Sequence, residues 1–147
     1  DEPIVGHAYV IDGDTVGVGG RRIRLIDVDA PELDQDCKDA QGKAWPCGRV
    51  SAQALKRLLR SRELSCRPQA YDQYHRALSR CALPDGTDVN AWMVQQGLAV
   101  TSGFAKVYGA QEAEARIAGR GLWTGDFMLP HEWRRQHPRV DQIIPRS

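Results

Sequence analysis

No apolar run in this chain approaches the roughly 18 residues that a membrane-crossing helix needs. A helical membrane anchor therefore lacks support, and no membrane partner is expected. Charge of one sign is also missing. The chain holds 20 basic and 19 acidic residues, a formal net charge of +1, which excludes a protein that coats a polyanion through bulk charge. Any positive field must be local. The late cluster Arg134, Arg135, Arg139 and Arg146 reads as the solvated face of a tail. No CxxC pair is present, so a cysteine zinc site lacks support. P-loop, GxGxxG and Ser-His-Asp order are absent, and with them the chemistries they carry. The chain has no internal repeat and no low-complexity segment. Its 147 residues suit one domain with one core. The N-terminal "DEPIVGHAYV" has neither a basic n-region nor an apolar h-region, so a signal peptide, where export is expected, has been removed or lies outside this chain.

What is present begins with four cysteines, Cys37, Cys47, Cys66 and Cys81. Two disulfides satisfy the count in any of three pairings. The favoured pairing joins Cys37 to Cys47 within one loop and Cys66 to Cys81 across neighbouring strands; free buried thiols are the alternative. Disulfides imply a periplasmic or secreted location.

The stretch "VGHAYVIDGDTVGVGGRRIRLIDVDA" predicts three strands joined by turns at Asp12-Gly13 and Gly19-Gly20. In its last strand the alternation puts Ile23, Leu25 and Asp27 on one face and Arg24, Ile26 and Val28 on the other, and Pro31 ends it. Residues 33–47 form a loop. From Gly48 to Arg60, residues Val50, Ala54, Leu55, Leu58 and Leu59 recur at helical spacing. "ELSCRP" and "AYDQYHRALSRCAL" supply two more strands. Asp88 caps a helix stopped by Gly97, and "GAQEAEARIAGR" predicts a third helix closed by Gly121. Residues 131–147 are read as an irregular tail after a domain of residues 1–130. Five short strands with segregated helices predict an α+β domain with a small closed sheet.

Acids and arginines crowd the first strands. If the first and third strands are neighbours, Asp14 and Asp29 meet at one mouth of the sheet. Two carboxylates a few ångströms apart repel unless a cation sits between them. These two with a backbone carbonyl such as that of Ala30 suit a hard cation, Ca²⁺ or Mg²⁺; the alternative is that they are ordinary turn acids. Glu32 near the same mouth is a candidate general base. Arg24 is a candidate phosphate clamp or a structural ion pair. "DQYHR" adds Arg76 and a stackable Tyr74.

Taken together, "VIDGDTV", "RIRLIDVDAPE", "DQYHRALSRC", "VNAWMVQQGLA" and "ARIAGRGLW" resemble the staphylococcal nuclease family, in family order from about Val5 to Trp123. The resemblance implies an OB-fold, a five-stranded barrel with three helices, and a Ca²⁺-dependent phosphodiesterase acting on DNA and RNA that leaves 3′-phosphate ends. It implies Asp14, Asp29 and the carbonyl of Ala30 as calcium ligands and Asp12 as an outer-shell acid. It likewise implies Glu32 as general base, Arg24 and Arg76 as phosphate-clamping arginines, and Tyr74 as a tyrosine beside the bound nucleotide. A monomer is the default state.

The chain departs from the family pattern in three places. His75 stands where the family usually has Gly, so a positive φ in the turn is at issue and with it the position of Arg76. Gln73 replaces a basic residue, which weakens recognition of a terminal phosphate. The cysteines and the "CKDAQGKAWPCG" loop resemble the disulfide-bearing bacterial branch. The rivals are a non-catalytic OB-fold module that binds nucleic acid or protein, and a nuclease-fold protein serving another pathway such as exopolysaccharide production. The chain keeps the acids and arginines that inactive relatives lose, which favours the enzyme.

Overall fold

The computed structural model describes residues 2–138. Strand β1 (Ile4–Asp12) alternates half-buried and exposed residues along its length, the period of a strand with one face on a core. It turns through Gly13-Asp14 into β2 (Thr15–Val18), which turns at Gly19-Gly20 into β3 (Arg21–Leu25). Later come β7 (Glu63–Tyr71) and β8 (Ala77–Ala82). These five close into a barrel in the order β1-β2-β3-β8-β7, with β3 and β8 parallel and the other pairs antiparallel. Closure removes free sheet edges and lets side chains fill the interior. Val16, Val18, Ile23, Leu25, Leu55 and Leu64 are fully buried there.

The expected α+β barrel is therefore present, with local differences. The alternation of the third strand stops at Leu25, because Asp27 takes a φ of 64° and reverses the chain. The chain resumes as β4 (Val28–Asp29), which pairs with β9 (Val100–Thr101). Helix α1 (Cys47–Leu59) buries Cys47, Ser51, Leu55 and Leu59, a stripe of spacing four. Val50 lies off that stripe and is exposed. The loop before α1 contains a small hairpin of β5 (Cys37–Lys38) and β6 (Ala44–Trp45).

Helix α2 (Val89–Gln95) is capped as expected, the Asp88 carboxylate accepting from the Ala91 N–H. Helix α3 (Gly109–Ala118) ends two residues earlier than expected, at Gly119 rather than Gly121, with Gly119 in the left-handed conformation. The stretch read as the start of an irregular tail instead forms a fourth helix, α4 (Pro130–Gln136). Arg139 and Arg146 lie outside the described residues. No helix among the described residues is long and apolar enough to cross a membrane.

Both disulfides form in the favoured pairing. Cys66 and Cys81 sit directly opposite each other on β7 and β8, so their bond staples the barrel. Cys37–Cys47 ties the β5–β6 hairpin to the start of α1. With its ends 15 positions apart in sequence, the strand-to-strand bond removes enough unfolded-chain freedom to contribute about 3 kcal/mol. A Cys66→Ala/Cys81→Ala double variant should lose about that much in urea unfolding.

Candidate active site

Asp14 and Asp29 do meet, by a route other than the expected one. The barrel order puts β2 between β1 and β3. Asp14 sits in the β1–β2 turn, and the end of β3 wraps around it. Its backbone carbonyl accepts the Leu25 N–H at 2.8 Å, and its Oδ2 accepts the Ala30 N–H at 2.8 Å. Asp27 makes this wrapping possible: its left-handed turn is gripped by the Arg80 guanidinium at 2.7 Å, while buried Asn90 donates to the Ile26 carbonyl. Asp14 and Asp29 end up 5% and 4% exposed. The β1–β2 register shifts between Val10 and Asp12, an irregularity of the kind that re-aims side chains beside sites. Asp12 Oδ1 then accepts the Asp14 N–H at 3.1 Å.

Crowded acids change each other's titration. Burial, then the charge on Asp14 and a side-chain hydrogen bond with it, push the Asp12 carboxyl up to about 7; Glu32 adds to the push and the Asp14 N–H opposes it. Two guanidiniums supply compensating charge. Arg24 Nη2 lies 3.4 Å from Asp14 Oδ2 and 3.3 Å from Asp29 Oδ1, while its Nη1 donates to the carbonyls of Leu25 and Val28. Arg134, from α4, sets its Nη1 and Nη2 on the two oxygens of Asp29 at 3.0 and 3.2 Å, and Nη1 lies 3.4 Å from Glu32 Oε1. Burial works against the Arg134 charge, but its bonds to Asp29 and the nearby Glu32 and Asp14 more than offset that and hold it protonated.

Glu32 rides on a tightly packed segment. Its N–H donates to the Gln35 side chain and its carbonyl accepts the Gln35 N–H. Fully buried Gln35 also donates to the Met128 carbonyl, two residues before α4 begins. A Cβ at Gly48, the second residue of α1, would fall 1.7 Å from the Glu32 carbonyl oxygen, so this close approach requires glycine.

The second constellation lies in the β7–β8 turn. Asp72 organises it: Oδ1 accepts the N–H groups of Tyr74 and Arg76, and Oδ2 accepts Arg76 Nε at 2.7 Å. His75 itself adopts the left-handed conformation, φ 62°, so the geometry a glycine would give is kept at a cost of about 1–2 kcal/mol, and Arg76 lines the cleft. Tyr74 is exposed, with the Arg76 guanidinium carbon 5.7 Å from its ring centre. Asp12, Asp14, Arg24, Glu32, Tyr74 and Arg76 all line one cleft of about 990 Å³.

The sequence reading missed the far wall of that cleft. His131, Trp133, Arg134, Arg135 and His137 come from α4 and the residue after it. Their signal was present: Pro130 at the first helical position, Glu132 in the first turn, and Arg134 and Arg135 in the last.

Among the described residues no group of three or more His, Cys, Asp or Glu side chains is arranged to hold a metal ion. The donor set that the family resemblance implies is smaller: the carboxylates of Asp14 and Asp29, both within 3.4 Å of one Arg24 nitrogen, with the Ala30 carbonyl. Its chemistry, all oxygen, fits a hard divalent cation.

Burial tends to raise the Asp72 titration, but hydrogen bonds from the Arg76 backbone and side chain and from Tyr74 outweigh it and hold the carboxyl below 3.8. A depressed folded value contributes stability above the unfolded one, and that contribution is lost as the pH falls through the folded one. Wild type should thus be more stable than Asp72→Asn at neutral pH in urea unfolding, and the gap should close as the pH falls from 3.8 through the lower folded value.

The model of the family described as staphylococcal nuclease homologue matches residues 22–125. Among curated proteins, the succinoglycan biosynthesis protein ExoI of Rhizobium meliloti is 41% identical over 125 residues, which cover 83% of this chain and 65% of that protein. An uncharacterized endonuclease of Escherichia coli O157:H7 is 34% identical over 86% of this chain and 82% of its own length. A micrococcal nuclease of Shigella flexneri is 33% identical, with 86% and 77% covered. With its closed barrel, its acid pair and its two cleft arginines in family order, the chain belongs to the staphylococcal nuclease family.

Proposed function

We propose that this chain is a Ca²⁺-dependent phosphodiesterase that hydrolyses DNA and RNA, exported to the periplasm or beyond and acting as a monomer. The observation that carries the reading is one cleft lined by Asp14, Glu32, Arg24 and Arg76, with buried Asp29 joined to Asp14 through the Arg24 nitrogen that both acids share. Relatives named endonuclease and micrococcal nuclease support it, and the two disulfides support export.

Asp14, Asp29 and the Ala30 carbonyl would hold the cation, with Asp12 behind them. When bound, the cation neutralises charge on the substrate phosphate. Glu32 orients a water and takes its proton, so that the oxygen can attack phosphorus. Asp72 engages Arg76 through Nε, which leaves the two Nη groups to bind phosphate oxygens as charge builds on them. Arg24, braced by two carbonyls, presents its guanidinium from the metal side. The 5′ oxygen departs and a 3′-phosphate remains. Tyr74 offers an aromatic face to the neighbouring base. The name of the 41%-identical relative, a succinoglycan biosynthesis protein, favours a second reading, in which the fold serves exopolysaccharide production.

Cleavage of single-stranded DNA and of RNA should require Ca²⁺, stop in EGTA, and fall on the order of 10²–10³-fold in Glu32→Gln and in Arg76→Ala. Folded, Ca²⁺-binding wild type that cuts neither polymer would overturn the nuclease reading in favour of the second.

A further inference from the structure

Helix α4 begins at Pro130, beyond the segment that the family model matches, which ends at residue 125. Yet it delivers a cation onto that segment's acids. Arg134 uses both terminal nitrogens on both oxygens of Asp29 and reaches Glu32 as well. The guanidinium thus bridges two carboxylates that, on the proposed function, a metal ion would hold or lie beside.

Asp29 carries two guanidiniums, and they are not equally fixed. Arg24 is 17% exposed and braced by the carbonyls of Leu25 and Val28. Arg134 is 40% exposed, and its guanidinium pairs with the carboxylate oxygens of Asp29 and Glu32. Its helix has seven residues, and only Pro130 among them is buried. When a divalent ion approaches Asp29, like charges at one carboxylate repel, and the more weakly held cation is the one that leaves.

We propose that Arg134 stands in for the divalent cation at Asp29 and Glu32, so that cation and guanidinium displace one another. This rests on the cation reading of the site. Before the metal arrives, Arg134 keeps the two acids close and α4 seated over them. Once the metal has bound, Arg134 withdraws into the cleft wall beside Arg135, and Asp29 turns from ion-pair partner to ligand. Arg134 is in these terms a positioning residue that sets the affinity of the site for its metal.

Calorimetric titration with Ca²⁺ alone, on the full chain at low salt, tests this on wild type, Arg134→Ala and Arg134→Gln, each checked for folding by thermal unfolding. Both variants should bind Ca²⁺ roughly three- to tenfold more tightly than wild type. In wild type, Ca²⁺ should also speed hydrogen exchange of the α4 amides. Folded variants that bind Ca²⁺ equally or more weakly would overturn the proposal while leaving the cation reading intact, since Arg134 would then merely orient Asp29. Absence of Ca²⁺ binding in wild type and variants alike would overturn both. If the variants fail to fold, the exchange measurement on wild type decides: faster α4 exchange with Ca²⁺ supports displacement, and unchanged or slower exchange overturns it.

Discussion

The structure depends on how it compensates the negative charge it gathers at one mouth of its barrel. Asp12, Asp14, Asp29 and Glu32 converge there, two of them almost wholly buried. Buried carboxylates are tolerated only with hydrogen bonds and opposite charge. The fold supplies both, through the Ala30 N–H and Thr15 hydroxyl on Asp14 and through two arginines on Asp29. The Asp12 carboxyl is pushed up to about 7, by burial first and by the charge on Asp14 next.

Much of the surrounding architecture holds that cluster in place. Asp14 is both a member of it and the post around which the end of β3 turns. The Arg80–Asp27 pair and Asn90 fix the reversal that returns the chain to Asp29. On the other side, the Cys37–Cys47 bond, buried Gln35 and Gly48 lock the Glu32 segment against α1. The general-base candidate is thus set by backbone packing as much as by its own side chain, the kind of support a preorganised site needs.

The barrel strands, their two glycine turns, α1 and the Asp88 cap were legible because each rests on local chemistry: period two, period four, turn residues and a short acceptor side chain. The Cys66–Cys81 pairing followed from strand neighbourhood, and Cys37–Cys47 from a shared loop. The meeting of Asp14 and Asp29 was legible as an outcome but not as a path, because the strand order that puts β2 between β1 and β3 is a non-local fact. Val50 was misplaced because a helical repeat does not say which of two adjacent stripes faces the core. Helix α4 is short and buries only Pro130, so its capping signals were too weak to outweigh a polar, arginine-rich composition; Arg134 was lost with it. The turn at His75 called for a positive φ, and the bonds to Asp72 supply what glycine would have given.

The central claim is that the acid cluster is a cation site built into the fold. The most direct test is thermal unfolding of wild type in EGTA and in increasing Ca²⁺. A ligand that binds only the folded state stabilises it by about 2.7 kcal/mol at a hundredfold excess over its Kd, so Tm should climb steadily with Ca²⁺ concentration. An identical Tm in EGTA and in saturating Ca²⁺ would mean that Arg24 and Arg134 are the cluster's final counter-ions and that no metal belongs there.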